Sequence, residues 1–242
     1  MASGVARVVA GAAICALLAL AGPVGGQAAE VKVSRVEVGG VSAVLLMPPK
    51  PVASLILLTG GPGKVGIAPD GSVTAGGGNQ LVRTREAYAA KGFAVLVPDV
   101  GYDLAALVSS MAAIKRPVTV AGTSRGTQRA ARGLAAGARP DKLVLTSGLL
   151  APESGADQSV IGILGDPARL PPTLVIHHRA DGCRVTRPEG VEPFAKWGGK
   201  RVTVRWLDGG NDDGDACEAR GHHGFNGLDG AVVSAVSAFA RR

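Results

Sequence analysis

Apolar residues fall in short runs along most of this chain, and the spacing within each run separates strand from helix. Over 31–38 apolar and polar positions alternate, Gly39-Gly40 interrupts, and 43–47 takes up the alternation again. That pattern predicts a β-hairpin, because strand side chains point to opposite faces in turn. Residues 54–58 form an unbroken apolar run, as a strand covered on both faces requires. Helical spacing over 83–91 ends at Gly92, and 93–97 is a second buried strand. The same alternation continues: helix 104–115, strand 118–121, helix 127–136 closed by Gly137, and strand 143–146. Strands follow at 174–177 and 202–206, and an amphipathic helix at 228–240 closes the chain. Strands alternating with helices predict an α/β class: a mostly parallel, twisted sheet with helices on both faces and an antiparallel hairpin at its start.

The first residues do not fit that scheme. Arg7 precedes an apolar run over 8–20, which Pro23 and the Gly25-Gly26 pair then break. Gly26-Gln27-Ala28 has the small-x-small form read by signal peptidases, so 1–28 is expected to be a signal peptide and 29–242 one domain. The alternative is a retained membrane anchor, for which the run is short. No later apolar stretch is long enough to span a bilayer, so the mature protein is expected in the periplasm or outside the cell. Export decides how the three cysteines are read. Cys15 leaves with the leader, and Cys183 and Cys217 remain to form one disulfide in an oxidising compartment.

A hydrophobic content of 46% with 19% charged residues describes a globular chain. The net charge of +7 is spread along the sequence with only 3% aromatic residues, so no nucleic-acid partner is expected.

Candidate chemistry begins at Gly122-Thr123-Ser124-Arg125-Gly126, between a strand and a helix. A serine there sits on a sharp turn whose flanking residues must be small for strand and helix to approach. It also lies at the positive end of the helix, where negative charge is favoured. In a chain with 36 glycines this spacing also arises by chance, and an ordinary tight turn is the competing reading. The strand order, this turn and the loops that follow resemble the α/β-hydrolase superfamily over nearly the whole mature chain. They look closest to small exported bacterial serine hydrolases, with no room for an inserted lid over 149–172.

The resemblance implies roles for particular residues. Thr59-Gly60-Gly61-Pro62-Gly63 is similar to the H-G-G-P-G loop of the prolyl iminopeptidase branch, with Thr59 in place of the histidine. Such a loop lends one backbone N–H to an oxyanion hole, and the residue after the nucleophile lends the other. Pro62 has no N–H, so Gly61 and Arg125 are the expected donors. The acid would follow the late strand at Asp181, and the base would be His223, which precedes Gly224-Phe225 as in the H-G-F form of such loops. His222 is its rival. Asp208, Asp212 and Asp213 compete for the acid but lie close to His223 in sequence. The expected catalytic set is thus Ser124, Asp181 and His223, with Cys183–Cys217 tying the acid loop to the base loop.

The implied reaction is hydrolysis of a small ester-like substrate through an acyl-enzyme, with no cofactor and no metal. Lys64, Arg125, Arg179 and Arg184 would favour anionic substrates if they converge. Two other classes stand against this. His177, His178, Asp181, Cys183, Cys217, His222 and His223 could form a metal site. The fold could also serve binding without catalysis.

Overall fold

Each buried strand of this chain carries two apolar faces, and helices drawn from different parts of the sequence cover them. The computed structural model describes residues 1, 2, 4 and 30–242. The leader's apolar run, its cleavage site after Ala28 and Cys15 lie outside those residues. The strands are β1 (Lys32–Val38), β2 (Val41–Met47), β3 (Ala53–Leu58), β4 (Phe93–Pro98), β5 (Val118–Thr123), β6 (Lys142–Thr146), β7 (Thr173–His178) and β8 (Val202–Leu207). They form one sheet in the order β1-β2-β4-β3-β5-β6-β7-β8. β1 and β2 pair antiparallel, as does β2 with β4, and all later pairs are parallel.

The period-2 rule sorts the core into two layers. Ile56 and Leu58 pack with helices α3 (Leu104–Ile114), α4 (Arg125–Ala135), α5 (Val160–Leu164) and α6 (Val191–Gly198). Ala53, Leu55 and Leu57 point the other way, onto α1 (Gln80–Arg83), α2 (Arg85–Ala90) and α7 (Asp229–Arg241). β3, β4, β5 and β7 are buried at every position, whereas the edge strand β8 alternates between part-buried and exposed over most of its length.

Four elements differ from the pattern in the sequence, one of them α5, which lies where that pattern predicts no helix. The helix expected over 83–91 starts earlier and is two pieces. The Asn79 side chain accepts from the Leu81 N–H and starts α1, and Thr84 then leaves helical geometry before α2 begins. α4 begins at Arg125, two residues before the apolar spacing does. α6 is a helix the sequence does not announce, because Pro193 interrupts its apolar period and glycines flank it. The parallel pairing of β7 with β8 needs a crossover of this kind, and a proline in the first turn of α6 costs it no hydrogen bond.

β3 is flanked by β4 on one side and β5 on the other, so the chain reverses direction across the sheet there. The connections leaving β3 and β5 go to helices on opposite faces. A crevice therefore opens beyond their carboxyl ends, where open α/β sheets bind ligands.

Candidate active site

The turn after β5 can be built only from these residue types. Ser124 has φ 50° and ψ −124°, a left-handed region that costs a non-glycine residue about 1–3 kcal/mol. A Cβ on Gly126 would lie 2.2 Å from the Leu58 carbonyl oxygen, and one on Gly122 would lie 2.6 Å from that of Gly126. Both positions must be glycine for α4 to pack against the end of β3. Two anchors fix the serine backbone: its N–H donates to Thr146 O at 3.0 Å, and the Thr127 hydroxyl donates to Ser124 O at 2.7 Å.

The loop leaving β3 lies against this turn. Gly63 N–H donates to Gly60 O at 3.1 Å, which puts Gly61 (φ 52°) and Pro62 at the centre of a tight turn. A positive φ at the first central position suits glycine, and that position's N–H is not used in closing the turn. Thr59 donates its hydroxyl to Gly63 O at 3.0 Å, so the residue replacing the expected histidine closes the loop. Arg129, on α4, donates to Thr59 O at 2.7 Å and to Gly61 O at 2.6 Å. No sequence pattern marks Arg129 for this part.

Asp181 lies just beyond β7 and His223 in a single turn of 3-10 helix ahead of α7, and both are buried. His223 Nδ1 is 3.1 Å from Asp181 Oδ2. Three further groups reach the same carboxylate. Cys183 N–H donates to Oδ1 at 2.9 Å, the Thr186 hydroxyl donates to Oδ2 at 3.1 Å, and His177 Nε2 stands 3.4 Å from Oδ2. The Thr186 oxygen is also 3.0 Å from His223 Nδ1. Burial works to raise the Asp181 pKa. Hydrogen bonds from His177 and His223, the His223 charge and the Cys183 N–H outweigh it and hold the carboxyl well below the usual range. The loop carrying His223 is fixed at its backbone. Ser147 Oγ donates to His223 O at 2.7 Å, and Arg83 donates to Gly224 O at 2.7 Å while pairing with Asp229 at the start of α7.

Solved structures with this arrangement of sheet and helices exist. TT1662 from Thermus thermophilus superposes with a TM-score of 0.62 at 16% identity, over 88% of this chain and 99% of that one. The esterase domain of a Rhodothermus marinus protein gives the same values. XC6422 from Xanthomonas campestris, described as an α/β serine hydrolase without a lid, gives 0.56 at 16% identity over 88% and 96%. The fold is that of the α/β-hydrolases. No family model and no curated protein matches the sequence.

Within this α/β-hydrolase fold, Ser124, His223, Thr59, Gly60 and Gly61 line one cavity of about 490 Å3 at the carboxyl end of the sheet. Arg125, the first residue of α4, has a backbone N–H with no acceptor inside the helix. His222 does not line the cavity. Its ring stacks on that of His178 with centroids 4.2 Å apart, and its Nδ1 is 3.7 Å from Asp212 Oδ2. The other aspartates are engaged elsewhere. Asp208 pairs with Arg179 at 3.4 Å, and Asp213 accepts from Asn226 at 3.1 Å.

Cys183 and Cys217 are joined in a disulfide. That removes two of the seven candidate metal ligands, and among the described residues no group of three His, Cys, Asp or Glu side chains is arranged to hold an ion. The four basic residues do not converge either. Only Lys64 lines the cavity, and Arg179 lies over the Trp206 ring, 4.9 Å from its centroid.

Proposed function

We propose that this chain is an exported serine hydrolase that cleaves small carboxylic esters. The observation that carries the reading is one cavity lined by both Ser124 and His223, with the far side of the imidazole bonded to a buried carboxylate. In this reading Ser124 Oγ attacks the ester carbonyl and His223 Nε2 takes its proton. Asp181 holds the Nδ1–H tautomer and stabilises the imidazolium. The N–H groups of Gly61 and Arg125 receive the negative oxygen as the carbonyl becomes tetrahedral. His223 returns the proton to the departing alcohol. Water, activated by the same imidazole, then releases the acid from Ser124. No cofactor enters any step.

A leader over 1–28 and the Cys183–Cys217 bond support an oxidising compartment outside the cytoplasm. The wall mixes Asn79, Lys64 and Glu218 with Pro62, Ala75 and Ala219, and a cavity of this size and lining suits a small ester.

The test is direct. Purified protein should hydrolyse p-nitrophenyl butyrate, a ligand soaked into one of the structurally similar esterases, EstE5, and should bind a fluorophosphonate covalently. Ser124→Ala should abolish labelling, and Ser124→Ala and His223→Gln should each lower kcat roughly a thousandfold or more. A folded wild-type protein that neither labels nor turns over short esters would return the chain to the class of hydrolase folds without chemistry.

A further inference from the structure

A second cavity, of about 570 Å3, has neither Ser124 nor His223 in its wall. It lies between the loop entering α3 and the face of α4 that carries Arg129 and Arg132. Val100, Tyr102, Leu104, Ala105 and Ala136 also line it. One end is therefore cationic and the other largely apolar.

The charge at the cationic end is not neutralised. Arg125, Arg129 and Arg132 recur at the spacing that aligns side chains on one helix face. Among the described residues none of the three takes part in an ion pair; Arg132 donates to the neutral Gln158 Oε1 at 2.7 Å, outside the cavity wall, which leaves its charge uncompensated. Asp103 borders the cavity, but its carboxylate caps α3, accepting from Ala105 N at 2.8 Å and Ala106 N at 3.4 Å. Arg129 is half-buried, and its partners are the carbonyls of Thr59 and Gly61, which are dipoles and not charges. A guanidinium has five N–H donors, so three remain. Burial pushes the Arg129 pKa down, Tyr102 opposes this, and Arg125 and Arg132 press it lower still. An anion placed between Arg129 and Arg132 would relieve that repulsion. Burial also leaves the Tyr102 hydroxyl without a partner and raises its pKa to about 12, so the phenol stays neutral and adds no negative charge beside Arg129.

We propose that this cavity is a separate binding site for a small amphiphilic carboxylate. The carboxylate meets the guanidinium groups of Arg129 and Arg132, whose planar donors match its two oxygens. Its hydrocarbon part lies along Leu104, Ala105 and Ala136. A phosphate would satisfy the arginines and leave the apolar end empty. A neutral molecule of the same length would fill the apolar end and leave the charge uncompensated. The site does not depend on the hydrolase reading. It does share Arg129 with the 59–63 loop, so an occupant bears on the part of the fold next to Ser124.

Hexanoate and 1-hexanol separate the two contributions. Titrated into the full-length mature protein in a calorimeter, hexanoate should saturate with a Kd of about 1 mM, and hexanol should bind at least about tenfold more weakly. Arg132→Glu reverses an exposed charge without touching the core and should weaken hexanoate at least about tenfold. Ala136→Trp, also at an exposed position, should block the apolar end and have the same effect. Equal binding of acid and alcohol would overturn the proposal. So would unchanged hexanoate affinity in both variants, or no saturation by about 20 mM. These readouts need no enzymatic activity, so they stand even if Ser124 proves inert.

Discussion

Ser124 holds a backbone conformation that glycine would adopt without strain, and its one distinctive group is a hydroxyl at the mouth of a cavity. Structure keeps such strain where function uses it. Ser124→Gly should therefore raise stability by about 1 kcal/mol, allowing for the greater freedom of glycine in the unfolded chain, while removing hydrolysis. Denaturant melts beside an ester assay would read both, and a variant that is less stable than wild type would contradict the strain argument. Asp181 makes a different prediction. Its carboxyl is held below the ordinary range, so folding favours the ionised form. The stability it contributes is complete above the unfolded carboxyl pKa of about 3.9 and drains away as pH falls toward the lower folded value. Asp181→Asn removes that dependence, so its melting temperature should fall less steeply than that of wild type below about pH 4. Parallel acid limbs would mean that other carboxyls control acid unfolding.

At the scale of elements, the site is three connections held in register by groups distant in sequence. Arg129 reaches from α4 to the loop after β3, and Arg83 reaches from α1 to the loop before α7. The disulfide joins the loops that carry Asp181 and His223, and Cys217 itself lines the cavity. Closing a loop across a separation of 34 residues stabilises a fold by roughly 3–4 kcal/mol. The local consequence is more specific, because Cys183 N–H also donates to Asp181. Reduction by dithiothreitol should lower ester turnover before the far-ultraviolet circular dichroism changes. Full activity in reduced, folded protein would show that Arg83 and Ser147 hold the base loop without help. These cross-links explain why the site is only partly legible in sequence. Ser124, Asp181 and His223 each sit where a strand or helix begins or ends, and glycines punctuate those places. Thr186 and Arg129 sit at no such mark, and nothing local in the sequence says that His177 and Arg83 reach the same groups; only packing brings these four to the site.

Over the whole molecule, an eight-stranded sheet ends at the edge where the cavity lined by Ser124 and His223 lies. The connection from β6 to β7 contains only two single turns of 3-10 helix and the five-residue α5, which packs its apolar side into the core instead of forming a separate cover. No helix among the described residues is long and apolar enough to cross a membrane. With no separate cover in the β6–β7 connection to displace, rates on a short ester should follow a single hyperbola through its solubility limit. A jump in rate once droplets form would point to a moving cover over the cavity.

Periodicity along the chain determined the sheet, its order of alternation with helices and the turn at Ser124, since each depends on local spacing and on glycines that no other residue can replace. Tertiary structure decided what local spacing leaves open. His222 and His223 are neighbours in sequence, yet one ring faces His178 and Asp212 while the other faces Asp181 and the cavity. The same holds for the helix hidden by Pro193 and for the arginines that brace the loops, because hydrogen bonds between distant segments exist only after the sheet has brought them together.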